Sequence, residues 1–400
     1  MLDSFNLNKV YQFLLIVLAF LLPLTVFGAN VIVVLIVVLW SVSGNYKAKL
    51  NEIFSTKLLI ASIIFFSLHV IGLFWTEDLE WGLHIIHKMW YFLLLYPILF
   101  TIVKSKYIKH YITAFLLAIT LTEIVSYLIW FEIIPPFKNG TVANPTPFMS
   151  HISYNPILAF AIYLVLHETF FNKNLSKPKF FLFGLFAMTM TINMFITGGR
   201  GGQVMYFAMI AIFIFQFFNA QKIKSLIAIM IVIPTIFYTA YQTSPLFHDR
   251  VDMAINGVIN YNIDKATSVG LRITFAINSW EVIRENLLFG VGTGDFPSEY
   301  KVVSLINTPN QHLTENPHNM YTLIAMQLGF IGIFSMLSIF YYQIKSSFLA
   351  SNKFLRDVGI VLPLLFLVIM WSDSYLLGHY TSLLFVFFSS FLHKDFEKFK

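Results

Sequence analysis

The chain has no cysteine, and only 12% of its 400 residues are charged. Without cysteine there is no disulfide, no thiolate metal ligand and no cysteine nucleophile. Soluble domains carry about 25% charged residues. Half that share, together with 58% hydrophobic and 18% aromatic residues, excludes an ordinary soluble protein. A mean hydropathy of +0.74 indicates a membrane protein that crosses the bilayer many times.

Apolar runs long enough to cross a bilayer recur along almost the whole chain. About 20 residues span the hydrocarbon. By that measure the sequence predicts an all-α integral membrane protein with about twelve transmembrane helices. The first run, residues 10–40, is too long for the core of a signal peptide, so we interpret it as retained. The predicted spans are 10–27, 30–43, 58–75, 85–103, 111–134, 152–170, 180–197, 202–219, 225–242, 318–343, 358–371 and 376–392.

One polar segment interrupts this apolar pattern. Residues 243–317 lie between two predicted spans and are far more polar than the rest of the chain. The sequence therefore divides into residues 1–242 with about nine helices, the polar segment 243–317, and residues 318–400 with about three helices. No internal repeat is visible, whereas many transporters are built from repeats.

The basic residues are distributed unevenly between alternate loops. If there are twelve spans, 18 of the 26 basic residues lie on one side, and the positive-inside rule makes that side cytoplasmic. Both termini are then cytoplasmic, and the polar segment faces the opposite side. The 18 residues are Lys9, Lys47, Lys49, Lys57, Lys104, Lys106, Lys109, Lys173, Lys177, Lys179, Lys222, Lys224, Lys345, Lys353, Arg356, Lys394, Lys398 and Lys400.

Arginine is concentrated on the other side. The cytoplasmic set contains one arginine, whereas the eight remaining basic residues contain four: Arg200, Arg250, Arg272 and Arg284. A guanidinium binds phosphate through two parallel hydrogen bonds, which an ammonium cannot do. The arginines therefore indicate an anionic ligand. The alternatives are snorkelling at the membrane interface and ion pairing with acidic residues of the polar segment (Asp249, Asp252 and Glu281).

A glycine-rich motif separates two predicted spans on the side of the polar segment. Four glycines around Arg200 indicate a tight reversal, where a ligand can approach the backbone closely. The arginine is then placed at the level of a lipid phosphate. The alternative is a plain turn between two helices. The motif is Thr197-Gly198-Gly199-Arg200-Gly201-Gly202-Gln203.

Residues 268–296 carry a helical pattern followed by glycines. Apolar residues recur at helical spacing and predict an amphipathic helix, lying on the membrane or on the helical bundle. Arg272 is near its start and Arg284 three turns later. The glycines contain a G-x-G, but a dinucleotide site needs a preceding strand, so we interpret them as turn-forming. The apolar residues are Leu271, Phe275, Ile283 and Leu287, and the glycine-rich motif is Gly290-Val291-Gly292-Thr293-Gly294-Asp295-Phe296.

A histidine precedes the last group of spans. His318 opens the span predicted at 318–343, and neutral imidazole accepts a proton from a hydroxyl near pH 7. Asn319 and Tyr321 follow and are candidates for binding or orienting an acceptor. The alternative is that the histidine is structural. The motif is Asn316-Pro317-His318-Asn319-Met320-Tyr321, continued by Leu323, Leu328-Gly329 and Ile331-Gly332.

The other titratable residues are weaker candidates. Lys88, near the outer end of a span, either binds an anion or snorkels. His69 and Glu123 lie within spans, where an unpaired polar group is costly, and a packing pair is one explanation. The acidic pair Glu77 and Asp78 suits a metal or simply an acidic outer loop, and there is no D-x-D motif.

In these motifs the sequence resembles the O-antigen ligase/O-antigen polymerase superfamily of bacterial envelope glycosyltransferases. The order and spacing of the motifs fit that family. So do about twelve spans, one large periplasmic loop and a GT-C-like architecture. Residues Trp371-Ser372-Asp373-Ser374-Tyr375-Leu376 resemble the last outer turn of the family. Many relatives carry a second histidine two residues before the matched one, where this chain has Asn316, although His312 is close.

The resemblance implies a metal-independent, inverting transfer without a cofactor. A glycan moves from undecaprenyl diphosphate to an acceptor sugar, which in ligases belongs to the lipid A–core, at the periplasmic face of the bacterial inner membrane. His318 is the implied general base. Fixed cations then offset the charge of the leaving diphosphate. We expect Arg200 and Arg272 to do so first, with Arg284, Arg250 and Lys88 as lesser candidates. The implied partners are the donor, the acceptor and membrane lipids, with no nucleic acid.

Two other functions stay open from the sequence. A polymerase that joins repeat units, or a transferase that glycosylates protein, shares the same motifs. A transporter or flippase belongs to a different class and predicts charged residues near mid-membrane along several helices. Here the polar residues gather in one segment, which favours the enzyme.

Overall fold

The computed structural model describes residues 4–138, 140–219, 221–311 and 313–398. His312, which the sequence places close to the predicted base, lies outside the described residues. Within these ranges the chain forms helices and loops and no β-strand, apart from an isolated bridge between Thr141 and Asn144. The predicted all-α class is confirmed.

The described residues contain seventeen α-helices, joined by short loops and three tighter or wider turns. In chain order the helices are α1 (Ser4–Leu21), α2 (Val26–Val42), α3 (Tyr46–Phe54), α4 (Lys57–Gly72), α5 (Leu79–Trp90), α6 (Tyr96–Ile102), α7 (Ile108–Trp130), α8 (His151–Phe171), α9 (Lys177–Ile196), α10 (Arg200–Phe218), α11 (Lys222–Thr243), α12 (Pro245–Ile259), α13 (Ser268–Glu285), α14 (Phe296–Asn307), α15 (Met320–Leu349), α16 (Lys353–Ile369) and α17 (His379–Leu392). The turns are 3₁₀ at Leu73–Trp75 and Ser105–Tyr107, and π-helical at Tyr91–Leu95.

Every predicted span coincides with a helix, but fewer helices meet the length and hydropathy expected of a span. Among the described residues seven do so, or eight if α2 and α3, bent by 115°, count as one. Helix α17 has only 14 residues, and α8 is largely buried by protein and carries polar residues such as Asn155 and His167. The chain is a multi-pass membrane protein, and the count of about twelve stays a prediction. The seven are Lys57–Trp75, Leu79–Ile102, Ser105–Trp130, Lys177–Ile196, Arg200–Phe218, Lys222–Thr243 and Met320–Leu349.

The helices belong to two compact units. Unit 1 comprises Met1–Leu14, Val31–Tyr107 and Ala254–Lys400, and unit 2 comprises Leu15–Asn30 and Ile108–Met253. In unit 1, α15 packs mainly against α4 and α16, and in unit 2, α8 packs mainly against α10 and α9. The division predicted at residues 243 and 318 follows polarity, whereas these units follow contacts, so the polar segment contributes to both.

In unit 1, helix α15 is broken at Gly329, whose backbone is left-handed (φ 60°, ψ −156°). A break in a helix frees N–H and C=O groups that need other partners. The glycine-rich segment, residues 287–295, supplies them. A Cβ on Gly290 (φ +68°) would lie 2.4 Å from the α15 backbone, so only glycine allows this approach. The N–H···O bonds run from Val291 to Met326 (2.8 Å), from Gly292 to Gln327 (3.1 Å) and from Phe330 to Leu287 (2.8 Å).

Asp295 anchors the far end of the glycine-rich segment. Its buried carboxylate accepts the backbone N–H of Glu77 at 2.9 and 3.0 Å and that of Asp78 at 2.8 Å. Such charge-assisted bonds are about twice as strong as neutral ones. The Asp78 carboxylate caps α5 by accepting the N–H of Trp81 at 2.9 Å. Among the described residues, no cluster of three His, Asp or Glu side chains could hold a metal ion.

We expect Asp295→Asn to lower the thermal stability of the detergent-solubilised protein. The amide keeps the size of the side chain but removes the charge that accepts two backbone N–H groups. Loss of a hydrogen bond to a charged group costs on the order of 2 kcal/mol. The control is Asp264→Asn, because Asp264 also accepts a backbone N–H, from Ala266 at 2.8 Å, but is exposed. Equal melting temperatures for the two variants would contradict this anchoring role.

Candidate active site

Unit 1 contains a pocket of about 260 Å³ that Arg272 and His318 both line. Helix α13 supplies Arg272, and the residues just before α15 supply His318. Two residues that the sequence nominated separately, 46 positions apart, therefore share one concave site. The other lining residues are Ser268, Leu271, Phe275, Leu313 and Thr314.

Helix α13 is held in place at its start and along its buried face. Thr267 caps it by accepting the N–H of Gly270 at 2.9 Å. Phe275, Val282 and Ile283 pack in a buried core with residues of α14 and α15. Burial of such side chains contributes about 1.5–3 kcal/mol each. The predicted helix is therefore confirmed, and it lies on the bundle with Arg272 half-buried at the edge of this core.

His318 stands two residues before α15 in a left-handed backbone conformation, with φ 51°. Such a conformation is uncommon for residues other than glycine, and it persists where the surrounding structure imposes it. The N–H of His318 donates to Asn316 Oδ1 at 3.0 Å. The N–H of Met320 donates to the carbonyl of Met370 at 2.8 Å. These bonds turn the ring of His318 towards the pocket, where it stacks on Phe275 with centroids 6.2 Å apart.

Asp373, in the turn between α16 and α17, lies against the His318 ring. His318 Nδ1 is 3.3 Å from Asp373 Oδ1, and only 14% of the Asp373 side chain is exposed. The same oxygen accepts the N–H of Ser374 at 2.7 Å and the amide of Asn316 at 3.3 Å. The hydroxyl of Ser374 donates to Asn316 Oδ1 at 2.8 Å, which closes the network.

The charge state of Asp373 determines which nitrogen of His318 carries the proton. Burial works to raise the pKa of Asp373, but the hydrogen bond and charge of His318, the N–H of Ser374 and the charge of Arg272 outweigh it. The pKa of Asp373 therefore lies below its ordinary range, and the carboxylate can only accept. His318 Nδ1 must then donate, which leaves the lone pair of the neutral ring on Nε2. A base oriented by a carboxylate in this way is suited to proton abstraction.

The contact between His318 and Asp373 was not predicted from the sequence. Residues 371–376 were identified in the sequence only by their resemblance to a family motif, and no role was predicted for Asp373. The two side chains are 55 positions apart, so no local spacing rule pairs them. The only hint available is that an acidic residue follows a predicted span on the same side as His318.

The remaining candidates in unit 1, Lys88 and Arg284, are not among the residues that line the pocket. Arg284 follows Arg272 by 12 residues, which is about 120° around the helix, and it is exposed and not among the residues that line the pocket. One turn before Lys88, His84 lies near enough to Glu315 for their charges to interact. That turn of α5 is thus close to the segment that leads into His318.

Asn319 and Tyr321 both make structural contacts. Asn319 caps α15 by accepting the N–H of Thr322 at 3.1 Å. The hydroxyl of Tyr321 donates to the carbonyl of Leu367 at 2.6 Å, and its ring packs on Trp371 with centroids 4.9 Å apart. These contacts account for both residues without a ligand, and their predicted part in acceptor binding stays a prediction.

Unit 2 contains a second cationic group, around Gly198. Arg200 is the first residue of α10, so the predicted reversal between two helices is confirmed. The guanidinium of Arg250 lies over Gly198, where a Cβ would be 3.3 Å from Nη2. The N–H of Gly198 donates to Asn144 Oδ1 at 2.9 Å, and Asn144 Nδ2 is 2.8 Å from His151 Nδ1. Arg200 and Arg250 are both close enough to His151 for their charges to act on it. The sequence analysis missed His151.

Two glycines of the Arg200 motif serve helix packing. A Cβ on Gly202 would lie 2.2 Å from the Cβ of Asn155, and one on Gly199 would lie 2.5 Å from the carbonyl of His151. Any larger residue would force α10 away from α8. Gly199 and Gly202 therefore have a packing cause, whereas Gly198 faces the guanidinium of Arg250.

His69 and Glu123 belong to different units. His69 is fully buried in unit 1, with Nδ1 2.9 Å from the carbonyl of Phe65. Its own carbonyl accepts the hydroxyl of Thr293 at 2.7 Å, so this turn of α4 supports the glycine-rich segment. Glu123 is buried on α7 in unit 2, beside Thr189 of α9.

The His318–Asp373 contact predicts a pH-dependent difference in stability between the wild type and His318→Ala. In the wild type the folded-state pKa of Asp373 is lowered, so its stabilisation is present above the unfolded pKa, about 3.9, and is lost as pH falls. Removing His318 removes two of the effects that lower that pKa, its hydrogen bond and its charge. The stability advantage of the wild type should therefore grow as pH rises through the acidic range around the unfolded pKa of about 3.9, as measured by thermal unfolding in detergent.

The control is His248→Ala. His248 Nε2 is also 3.3 Å from an aspartate, Asp252, but both side chains are more than 40% exposed. Exposed pairs contribute about 0–1 kcal/mol, so this variant should follow the wild type at every pH. A flat difference for His318→Ala would show that His318 does not lower the pKa of Asp373.

Comparison with known proteins agrees with the resemblance noted in the motifs. Residues 185–337 match a family model described as O-antigen ligase. No curated protein is similar enough to count as a match. The matched residues include Arg200, Arg272, the glycine-rich segment and His318, which confirms the resemblance. Residues 185–337 of this multi-pass membrane protein are therefore similar to the O-antigen ligase family.

Proposed function

We propose that the protein is an O-antigen ligase. It transfers a glycan from undecaprenyl diphosphate to an acceptor sugar of the lipid A–core. The observation that carries this proposal is the pocket in which Arg272 faces His318, with His318 held by the carboxylate of Asp373. The family match supports the broader class, glycosyltransferase-like enzymes that act on glycans and lipid-linked substrates.

In the proposed reaction the acceptor hydroxyl gives its proton to His318 Nε2. The oxygen attacks the anomeric carbon of the donor from the face opposite the diphosphate, so the configuration inverts. The bond from that carbon to the diphosphate oxygen breaks, and undecaprenyl diphosphate leaves with the electron pair. Arg272 stabilises the charge that develops on the leaving oxygens, a role suited to a guanidinium fixed in a half-buried site.

Asp373 acts as a positioning residue for His318. It holds the tautomer with Nδ1 protonated, so that Nε2 is the nitrogen that accepts. Once the proton has arrived, the imidazolium faces a carboxylate that is already ionised. Asn316 and Ser374 hold that carboxylate in turn. Asn316, which replaces a second histidine found in many relatives, thus has a structural part in the network.

The arginines of unit 2 stay proposed phosphate ligands of the donor. What supports this is the local geometry, in which the guanidinium of Arg250 lies against the buried turn at Gly198 and the charges of Arg200 and Arg250 both act on His151. Lys88 and Arg284 are lesser candidates for the same charge. The proposed transfer uses these fixed cations and no divalent metal.

The proposed location is the bacterial inner membrane, with both termini cytoplasmic. The asymmetry of 18 basic residues out of 26 supports this orientation. The polar segment, and with it the pocket, then faces the periplasm. A lipid-linked donor reaches the pocket from the membrane and the acceptor from the periplasmic side.

The glycolipids of a deletion strain test the proposed reaction. We expect lipid A–core without attached glycan, together with accumulated lipid-linked glycan. Full-length protein and the His248→Ala variant should both restore attachment, whereas His318→Ala should not. Core that carries a single repeat unit in the deletion strain would identify a polymerase and contradict the ligase proposal.

Alanine substitutions at His318 and at Arg272 should affect turnover and donor binding differently. A general base acts on the acceptor, so His318→Ala should lower turnover by about 10²–10⁴-fold while donor binding stays close to wild type. Arg272→Ala removes a charge-assisted contact to phosphate, so it should weaken donor binding as well as turnover. Donor binding and turnover are measured on the purified variants in detergent. If His318→Ala loses donor binding as severely as Arg272→Ala, His318 is a phosphate ligand or a structural residue.

A further inference from the structure

The glycine-rich segment begins with three apolar residues whose side chains point away from the protein. Leu288 is 61% exposed, Phe289 60% and Leu287 40%. They follow directly on α13, so the sequence places them within the polar segment. A run of three exposed apolar side chains is unusual for a loop in water. The helices that bond to the run show whether it lies at the level of water or of lipid.

Hydrogen bonds fix the level of this run along α15. The carbonyl of Leu287 accepts the N–H of Phe330 at 2.8 Å, and that of Leu288 accepts the N–H of Ile331 at 3.4 Å. Phe330 is 15 residues from Lys345, one of the basic residues assigned to the cytoplasmic side. At 1.5 Å per residue the run therefore lies about 22 Å above that lysine.

Helix α4 gives an independent measure of the level of Thr293, near the other end of the same segment. The N–H of Thr293 donates to the carbonyl of Gly72 at 3.4 Å. Gly72 is 15 residues from the cytoplasmic Lys57, which again corresponds to about 22 Å. The hydrocarbon of a bilayer is about 30 Å thick. Both helices therefore place the segment several ångströms below the outer boundary of the hydrocarbon.

The backbone of the segment is suited to that environment. Non-helical backbone is tolerated at membrane depth only where it is buried against protein or lines a water-filled cavity. The backbone of Leu288 packs closely on Gly329, where a Cβ would lie 2.4 Å from its carbonyl carbon. Besides the bonds to α15, the N–H of Gly290 donates to the carbonyl of Asn286 at 3.0 Å. The side chain of Gln327 donates to the carbonyl of Thr293 at 2.6 Å. Polar backbone is thus turned towards α15 and α4, while the apolar side chains face outward.

The neighbouring residues mark where the hydrocarbon ends. Phe74 is 88% exposed, and the ring of Trp75 contacts that of Phe289 with centroids 6.4 Å apart. Tryptophan is enriched at the membrane–water boundary. On the other side, the exposed Arg284 and Glu285 at the end of α13 come just before the apolar run. The exposed side chains therefore change from polar to apolar within a few residues.

We propose that residues 287–289 are inserted among the acyl chains of the outer leaflet, so that the polar segment re-enters the membrane. Arg284 then lies at the level of the lipid headgroups and anchors α13, which explains its exposure away from the pocket. The inserted run fixes the C-terminal end of α13 in the membrane. The inference depends on the helices spanning the membrane and is independent of the proposed reaction.

Spin labels on single cysteines test the insertion directly, because the natural chain has no cysteine. Leu288→Cys and Phe289→Cys are labelled and reconstituted into phosphatidylcholine vesicles. Collisions with oxygen, which concentrates in hydrocarbon, are compared with collisions with a water-soluble nickel chelate. Met230→Cys on α11, which is 73% exposed at mid-helix, is the lipid-facing control. Lys301→Cys on α14, exposed in the polar segment, is the water-facing control.

We expect both variants to resemble Met230→Cys, with oxygen collisions exceeding nickel collisions several-fold. A pattern like that of Lys301→Cys would place the run in water and overturn the proposal. Low collision rates with both reagents would also overturn it, because the run would then be covered by protein, such as a second copy of the chain. The melting temperatures of the labelled variants show that folding is preserved. The result does not depend on any transfer activity.

Discussion

The arrangement of unit 1 depends on one constraint, that backbone polar groups without a helical partner must be paired wherever water is scarce. Helix α15 breaks this rule locally at Gly329, and the glycine-rich segment restores it with bonds to Met326, Gln327 and Phe330. Asp295 ties the same segment to the loop between α4 and α5. The segment therefore joins α4, α13, α14 and α15 into one framework. The pocket of Arg272 and His318 is built on two of these helices.

Much of this organisation follows from simple features of the sequence. Each predicted span overlaps at least one helix, since burial of backbone in hydrocarbon leaves few options besides a helix. Positive φ at Gly290 and Gly292 agrees with their interpretation as turn-forming residues. Arg272 was predicted from the concentration of arginine on one side of the predicted topology, and His318 from its place at the start of a predicted span.

What the sequence does not contain is the pairing between distant segments. His318 and Asp373 meet only because the starts of α15 and of the turn after α16 are joined by the bond from Met320 to Met370. The role of Gly202 against Asn155 is equally invisible, because a glycine that allows close packing and one that admits a ligand look identical in a sequence. The number of spans is likewise not fixed by apolar runs alone, because α17 has only 14 residues and α8 is shielded largely by protein.

The placement of Arg272 has a consequence for donor binding at the site. Its charge contributes to keeping Asp373 ionised, and in the proposed reaction the same charge is shared with the diphosphate of the donor. A diphosphate bound to Arg272 would offset that positive charge, and with it one of the four effects that lower the pKa of Asp373. The other three effects come from His318 and Ser374, so donor binding and the orientation of His318 are linked through this one guanidinium.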